Sequence, residues 1–295
     1  MPINSKKIPA SQLVLNQDGS VYHLNLLPDQ IADTIILVGD PGRVARISNY
    51  FDRIELKASN REMNTHTGFY KGRRLTVLST GMGTDNIEIV LNELDALVNI
   101  DLKNRQRNIA HRRLQLIRLG TSGALQADIA VGESYVAGAY ALGLDGLLYF
   151  YDKAEDFIEQ DMTQAFMQHT HWSEKLPTPY IIKASDQLLE KLAYDYRQGI
   201  TATAPGFYAP QGRSLRLKVA NPKLNQRIES FQYQGKNILN FEMESSALYG
   251  LSKMMGHDAL TINLIIANRV SERFTSDYTP FMEKLIQTTL DRLVS

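Results

Sequence analysis

Short apolar runs rich in β-branched residues alternate along this chain with longer amphipathic stretches, and this alternation constrains the fold more than any other feature. The runs predict strands at 35–38, 75–79, 116–119, 134–137, 200–203 and 261–267. The stretches predict helices at 44–51, 87–97, 186–194, 223–231, 242–255 and 281–293. We therefore expect an α/β fold with a mainly parallel or mixed sheet.

Composition limits the classes of function open to the chain. A length of 295 residues allows a large apolar core, and 43% hydrophobic with 22% charged residues is typical of a globular protein. The formal net charge of +0 gives no general attraction to nucleic acid or to an anionic membrane, so we predict neither partner. The absence of cysteine excludes disulfides and thiolate chemistry. Residues 1–20 lack the apolar region of an export signal, so we expect a cytoplasmic protein.

No linker rich in Pro, Gly or Ser divides the chain, so we expect a single domain over 1–295. Two segments stand outside the alternation, an N-terminal extension at 1–20 and a polar insertion at 101–113. The insertion is basic and contains Lys103, Arg105, Arg107, His111, Arg112 and Arg113. Because no aromatic residues interleave these charges, an exposed insertion or a solvated helix face is favoured over a nucleic-acid patch.

Two arginines stand where an anion could bind. Arg43 closes the segment Gly39-Asp40-Pro41-Gly42-Arg43, which follows a strand and opens a helix, and helix N-termini attract anions. Arg118 interrupts an apolar strand, where a guanidinium is costly to desolvate unless an anion or carboxylate meets it. Thr121 and its small neighbours would let a hydroxyl and backbone approach the same anion. A routine turn and an internal ion pair are the structural alternatives.

Two further motifs lie at the starts of helices, the first directly after a strand and the second after a short apolar run. The segment Ser79-Thr80-Gly81-Met82-Gly83-Thr84 lacks the lysine of a P-loop and the three-glycine dinucleotide fingerprint, so we expect neither ATP nor NAD. In Asn240-Phe241-Glu242-Met243-Glu244, the two glutamates would point in different directions on a helix. One of them would serve the helix N-terminus, and the other could accept hydrogen bonds from sugar hydroxyls.

The loop Phe207-Tyr208-Ala209-Pro210-Gln211-Gly212-Arg213 carries groups that can recognise a flat polar ring. An aromatic face can stack on a base, and Gln211 with Arg213 can hydrogen-bond to carbonyl and imide edges. The same composition also fits an ordinary turn. The six histidines show no ligand spacing and no Gly-x-Ser-x-Gly elbow occurs, so we predict no certain metal site and no serine hydrolase.

In this order, the five motifs resemble the nucleoside phosphorylase family of uridine phosphorylases and trimeric purine nucleoside phosphorylases. The resemblance extends from about His23 to the C-terminal helix. It implies a single α/β domain with a mixed, partly barrel-like central sheet flanked by helices. It also implies active sites shared between subunits of a homodimer or of a hexamer built as a trimer of dimers. The substrates would be a nucleoside and inorganic phosphate, without an organic cofactor.

Carried over residue by residue, the resemblance implies three groups of site residues. The phosphate-binding group would be Gly39, Arg43, Arg118 and Thr121, with Arg61 supplied across a dimer interface. The ribose-binding group would be Thr121, Met243 and Glu244, with His23 supplied by a neighbouring subunit. The base-binding group would be Phe207, Gln211, Arg213 and Arg269. Catalysis would rest on Arg43, Arg118 and Glu244, and an interfacial potassium ion would lie near Glu62.

The resemblance favours a pyrimidine nucleoside. The purine members of the family place a catalytic aspartate after the penultimate strand, where this chain has Ala267-Asn268-Arg269, and Gln-x-Arg in the base loop is the pyrimidine form. The expected reaction is phosphorolysis of uridine, and of deoxyuridine as a second substrate, in pyrimidine salvage. The alternatives are a purine nucleoside phosphorylase, a nucleosidase that uses water, and a nucleoside-binding protein without turnover.

Overall fold

The computed structural model describes residues 7–295, and the first six residues of the N-terminal extension lie outside this range. The strands are β1 Thr34–Val38, β2 Arg53–Asn60, β3 Met63–Tyr70, β4 Arg73–Ser79, β5 Ile100–Asp101, β6 Gln106–Arg107, β7 Gln115–Ala124, β8 Tyr135–Gly143, β9 Tyr180–Lys183, β10 Arg197–Thr203, β11 Gln232–Tyr233, β12 Lys236–Glu242, β13 Asp258–Asn268 and β14 Arg273–Phe274. The α-helices are α1 Pro41–Ser48, α2 Thr84–Asn99, α3 Gln160–Thr170, α4 Asp186–Leu192, α5 Leu224–Ser230, α6 Ser245–Met255 and α7 Thr279–Val294. Every predicted strand and helix overlaps one of these elements.

Most strands belong to one twelve-stranded sheet, whose main path is β11-β12-β10-β8-β13-β7-β1-β4-β3-β2. β12 also pairs with β7, which closes β12, β10, β8, β13 and β7 into a five-stranded barrel. From β7 the sheet continues through the parallel strands β1 and β4 to the antiparallel hairpin of β2 and β3. The predicted α/β fold with a mixed, partly barrel-like sheet is therefore confirmed.

Burial explains why the central elements were predictable. β1 reads Thr-Ile-Ile-Leu-Val, and all five residues are buried between β4 and β7. α2 turns one apolar face inward through Ile87, Val90, Leu91 and Leu94, which recur at helical spacing. α6 packs against α2, β8 and β13. Among residues 7–295, no helix combines the length and the apolarity needed to cross a bilayer.

Two of the elements that the sequence did not predict, β2 and α3, lie where the apolar pattern is weak. Every residue of β2 is exposed or half-exposed, so this strand lacks a buried face that would mark it in the sequence. α3 buries only four residues, two of which are threonines. Both elements lie outside the five-stranded barrel. The buried barrel strand β12 was not predicted either, because Asn240 and Glu242 interrupt its apolar run.

The insertion at 101–113 is exposed and extended, so the alternative of a solvated helix face is wrong. β5 pairs with β6 in a short hairpin, and Arg105 in its turn has a φ of 53°. The backbone N–H of Ile8 donates to the Arg105 carbonyl at 2.8 Å, and the Arg105 guanidinium donates to the Leu13 carbonyl. The described part of the N-terminal extension therefore packs against the insertion.

Candidate active site

Arg118 and Glu244 form a buried ion pair that joins the first half of β7 to the turn after β12. Arg118 lies in β7, Glu244 is the N-cap of α6, and the carboxyl ends of β7 and β12 pair with each other. Arg118 Nη2 lies 2.5 Å from Glu244 Oε2, and the two side chains are 6% and 5% exposed. The backbone N–H of Gly83, at the start of α2, donates to Glu244 Oε1 at 2.8 Å. The Glu244 carboxylate thus joins three segments, which are the turn before α6, the turn before α2 and the strand β7.

Arg43 is a second buried cation beside this pair, and we call Arg43, Arg118 and Glu244 the arginine cluster. Arg43 Nη1 donates to the Leu119 carbonyl at 3.0 Å. Burial, followed by the charge of Arg118, lowers the pKa of Arg43. Within residues 7–295, Arg43 Nε and both Nε and Nη1 of Arg118 are buried without a hydrogen-bond partner. An anion with several oxygens would satisfy these donors and offset the repulsion.

Gly39 forms part of the wall of the arginine cluster. A Cβ at Gly39 would lie 3.4 Å from Arg118 Nη2 and 3.3 Å from the Gly81 carbonyl, so the backbone approaches the guanidinium closely. Thr121 is half-buried and lies three residues after Arg118 in β7. No hydrogen bond in the described part of the chain joins the Thr121 side chain to the cluster. The structure therefore brings Gly39, Arg43 and Arg118 together and leaves Thr121 near them along the strand.

Glu242 and Glu244 have different surroundings. The Glu242 carboxylate accepts from the backbone N–H of Glu244 at 3.0 Å and of Ser245 at 3.0 and 3.1 Å. The Thr203 hydroxyl donates to it at 2.6 Å. Burial, followed by the charge of Glu244, raises the pKa of Glu242. Glu242 therefore satisfies the first N–H groups of α6, and Glu244 is the carboxylate that remains for a ligand, with half-buried Met243 between them.

A second group of predicted residues forms around the loop after β10. Phe207, Gln211 and Arg213 lie in this loop and Arg269 follows β13, and we call the four residues the Gln211 cluster. Arg213 Nη1 donates to Gln211 Oε1 at 2.7 Å and to the Phe207 carbonyl. The Arg213 guanidinium carbon lies 3.8 Å from the centre of the Phe207 ring. Gln211 is buried while Phe207 is half exposed. The loop thus presents an aromatic ring beside a fixed amide.

Arg269 joins the Gln211 cluster from the end of β13. Its Nη1 donates to the Gln211 carbonyl, and its Nη2 is buried without a partner in residues 7–295. Burial, followed by the charge of Arg213, lowers the pKa of Arg269 to about 10. Two guanidinium groups beside one buried amide make this place electropositive, which suits a ring that carries carbonyl oxygens or negative charge.

The turn that holds Gln211 requires glycine at position 212. Gly212 has a φ of +74°, and a Cβ there would lie 1.9 Å from Asn225 Nδ2. The same amide donates to the Gln211 carbonyl at 2.7 Å. The absence of a side chain at Gly212 therefore leaves space for the Asn225 amide, which holds the loop through the Gln211 carbonyl.

His23 and Arg61 lie near each other and do not join the arginine cluster within this chain. Glu93 holds His23 through a 2.7 Å contact to Nδ1, and Asn60 Nδ2 donates to the His23 carbonyl at 2.8 Å. The exposed Arg61, in the turn between β2 and β3, has its guanidinium carbon 6.0 Å from the centre of the Tyr22 ring. No hydrogen bond or ion pair in residues 7–295 links either residue to Arg43, Arg118 or Glu244.

Two neighbours of the arginine cluster were missed by sequence reasoning. The first is Gly83, whose backbone N–H donates to Glu244, whereas its motif in the sequence indicates only a loose likeness to a cofactor-binding loop. Glycine at φ +98° immediately before a helix is the signal that could have revealed it. The Tyr278 hydroxyl lies close enough to Arg43 to raise its pKa against the effect of burial. No sequence signal links Tyr278 to Arg43, because the contact joins two ends of the chain.

Known proteins match this chain over most of its length. The family model for the Phosphorylase superfamily matches residues 33–294. The uridine phosphorylase of Thermococcus kodakarensis is 31% identical over 275 residues, which cover 91% of this chain and 85% of that protein. The DeoD-type purine nucleoside phosphorylase of Listeria monocytogenes is 28% identical over 273 residues, which cover 92% of this chain and 95% of that protein.

A solved structure has the same fold. The Trypanosoma brucei nucleoside phosphorylase, described as showing uridine phosphorylase activity, aligns with a TM-score of 0.86 and 30% sequence identity, covering 96% of this chain and 99% of that one. These matches confirm the family that the five motifs predicted. This chain is a member of the phosphorylase superfamily.

Proposed function

We propose that this enzyme is a uridine phosphorylase, which uses inorganic phosphate to split uridine into uracil and ribose 1-phosphate. The observation that carries the proposal is the arginine cluster, where two buried guanidinium groups keep unpartnered donors next to a carboxylate. The relatives described as having uridine phosphorylase activity support uridine as the substrate. The similarity to a purine nucleoside phosphorylase makes inosine the substrate against which uridine must be compared.

Phosphate would bind at the arginine cluster. A guanidinium has five N–H donors, and Arg118 directs only Nη2 at Glu244. The remaining donors, those of Arg43 and the backbone at Gly39 can surround a phosphate dianion, with Thr121 at its edge. Burial strengthens these contacts because water does not screen them. The exposed Arg61 of a second copy would complete the site across a dimer interface.

Ribose would be held by Glu244, with Met243 beside it. A carboxylate has about four acceptor positions. Gly83 N–H and Arg118 Nη2 occupy two of them, so two remain for the 2′- and 3′-hydroxyls. His23, which Glu93 fixes away from the arginine cluster, would reach the 5′-hydroxyl of the site in a neighbouring subunit.

The uracil ring would bind at the Gln211 cluster. Phe207 offers its ring for stacking, and the buried Gln211 amide offers a donor and an acceptor for the imide edge. Arg213 and Arg269 would stabilise the negative charge that develops on the ring during cleavage. The purine members' aspartate has no counterpart here. Asn268 uses its amide to bind Gln126, Ile129, Val270 and Ser271 backbone groups.

The reaction follows from this arrangement. A phosphate oxygen forms a bond to C1′ while the bond from C1′ to N1 of uracil breaks, and its electron pair leaves with the base. The ribose gains positive character, which the phosphate dianion offsets, and the base gains negative charge, which the two arginines offset. The released uracil anion takes a proton from water, so the site needs no side-chain acid.

The enzyme would work in the cytoplasm as a homodimer or a trimer of dimers. Neither His23 nor Arg61 binds the arginine cluster within residues 7–295, so each would serve the site of a second copy. Deoxyuridine would be a second substrate. Glu62, which accepts from Asn86 Nδ2 at 3.2 Å, would lie near an interfacial potassium ion.

An absorbance assay of uracil release from uridine, with and without phosphate and beside inosine and adenosine, tests the proposal. We expect release only with phosphate and a higher kcat/KM for uridine than for either purine nucleoside. Equal release without phosphate would indicate a nucleosidase, and preference for inosine would indicate a purine phosphorylase. If uridine raised the Tm without any release of uracil, the protein would be a nucleoside-binding protein without turnover.

A pair of arginine variants tests the base site directly. Arg213→Ala should lower kcat/KM for uridine by about a hundredfold, because a charged donor beside the developing anion is lost. Arg197→Ala is the matched control, since Arg197 pairs with the exposed Asp128 at the amino end of β10. The control should stay within about twofold of the parent enzyme. Equal losses in both variants would contradict the assignment of the Gln211 cluster.

A further inference from the structure

We propose that Asn263 is a positioning residue of the phosphate site, which holds the guanidinium of Arg118 from the side opposite Glu244. The inference rests on the proposed function and deepens it, because it adds a residue that neither the motifs nor the family resemblance assigns. Asn263 lies in the middle of β13, within the run Thr261-Ile262-Asn263-Leu264-Ile265, and faces the inside of the barrel beside β7.

Asn263 is fully buried, and neither of its amide atoms has a hydrogen-bond partner within residues 7–295. A buried amide without partners is unfavourable, since its hydration is lost and nothing replaces it. Such a residue in an otherwise apolar stretch of strand calls for a physical reason. The reason lies on the neighbouring strand.

Gly120 separates Asn263 from Arg118. β7 and β13 are parallel, with Gly120 opposite Asn263 and Arg118 opposite Thr261, so these side chains share one face of the sheet. A Cβ on Gly120 would lie 2.3 Å from Arg118 Nη1 and 2.4 Å from Asn263 Oδ1. The two atoms are therefore no farther apart than the sum of these distances. They border the same space, which exists because residue 120 has no side chain.

The two groups are chemically complementary. Arg118 Nη1 is a buried donor without a partner, and Asn263 Oδ1 is a buried acceptor without a partner. A hydrogen bond between them would satisfy both atoms. Glu244 already holds Nη2, so a hydrogen bond from Nη1 to Asn263 would fix both ends of the guanidinium fork. Nε and the outer N–H groups would then remain aligned for phosphate.

A second asparagine shows that the barrel interior can satisfy such a side chain. Asn240 in β12 is equally buried, and it accepts from the Thr201 hydroxyl at 2.9 Å and donates to the Ser122 hydroxyl at 2.9 Å. The lack of partners for the Asn263 amide is therefore specific to its place in β13 and is not general to buried asparagines of the barrel. Asn240 is also the matched control for an experiment.

Phosphate binding, measured by titration calorimetry on the complete protein, tests the inference without requiring turnover. Asn263→Ala should weaken the binding of inorganic phosphate about tenfold, because one hydrogen bond to a charged group is lost. Asn263→Asp keeps the shape of the side chain, and it should weaken phosphate binding more, because a carboxylate repels the anion and draws Arg118 away. Asn240→Ala should leave phosphate affinity unchanged even where it lowers Tm.

Steady-state kinetics provide a second readout. In Asn263→Ala the KM for phosphate should rise about tenfold while the KM for uridine stays constant, a split that a general loss of stability would not produce. Normal phosphate affinity in folded Asn263→Ala and Asn263→Asp would overturn the inference and leave the proposed function intact. Failure of the unaltered protein to bind phosphate would instead overturn the proposed function.

Discussion

Two arginines near the start of β7, Arg113 just before the strand and Arg118 within it, differ in how their charges are met. Arg113 pairs with Asp258 at 2.6 Å, and its side chain is 61% exposed. Arg118 belongs to the arginine cluster, which joins two buried guanidinium groups to one carboxylate and has three nitrogens without a partner in the described residues. The donors of Arg113 are open to water, whereas those of the arginine cluster suit an anion.

The difference teaches how to separate a functional basic residue from a structural one in this fold. The number of basic residues in a segment does not separate the two kinds. The insertion at 101–113 is rich in basic residues, yet none of its described side chains has a buried nitrogen without a hydrogen-bond partner. Arg113 is mostly exposed, so water completes its hydrogen bonds. Arg118 is shielded from water, so only a ligand or a neighbour can complete the same bonds.

The largest expected effect is that of Arg118→Ala, which removes the centre of the arginine cluster. We expect kcat/KM for phosphorolysis to fall about a thousandfold or more, as for other arginines that stabilise a transferring oxyanion. Circular dichroism must show a folded protein, because the variant leaves Glu242 and Glu244 without their cation. Near-normal turnover in a folded Arg118→Ala protein would remove the distinction between Arg113 and Arg118.

Gly120→Ala tests the comparison further because it disturbs the arginine cluster without removing a charge. The added methyl would lie 2.3 Å from Arg118 Nη1, so the guanidinium must move. We expect kcat/KM to fall about a hundredfold, with most of the loss in the KM for phosphate, since alignment of a charged donor is lost. Gly235→Ala is the control, because an added Cβ there meets no atom within 4 Å although its φ of +77° lowers stability. An active Gly120→Ala enzyme would show that the void over Gly120 has no role.

The sequence predicted most of the central strands better than the edge of the sheet, with the barrel strand β12 as the exception. β1, β7 and β13 were recognisable because they are continuous apolar runs, and Arg118 stood out because a charge interrupts such a run. β2 was not recognisable, since none of its residues is buried. The arrangement of β7 beside β12, which closes the barrel, joins residues more than a hundred positions apart and leaves no local signal.

The candidate site was predictable in its residues and only partly in its geometry. Gly39, Arg43 and Arg118 meet as expected, and the Gln211 cluster assembles from two distant segments. Glu242 binds the backbone at the start of α6, whereas Glu244 binds Arg118. Which glutamate takes which role depends on tertiary packing, so the sequence could not assign the roles. The roles assigned to Arg61 and His23 require a second chain and stay predictions.

A smaller effect is expected at the amino end of β7. Arg113→Ala breaks the ion pair with Asp258, which keeps a hydrogen bond from the Ser185 hydroxyl at 2.7 Å. Because Arg113 is exposed, the free energy of unfolding should fall by about 1 kcal/mol or less. Phosphorolysis should stay within about twofold of the parent enzyme, measured beside Arg118→Ala. A large loss of activity would mean that the basic insertion serves the site after all.

The smallest effect concerns acid stability at the same end. Burial alone would raise the pKa of Asp95, but hydrogen bonds with His257 and Asn99 outweigh it and hold the pKa below the usual 3.8. A carboxyl whose pKa is lower in the folded state stabilises the fold above its unfolded pKa, and this contribution is lost as the pH falls through the folded pKa. The Tm of the parent protein should therefore fall more steeply from about pH 5 to about pH 3 than that of Asp95→Asn. Parallel curves for the two proteins would show that Asp95 contributes no proton-linked stability, and the ion pair of Arg113 with Asp258 would then be the main electrostatic contribution before β7.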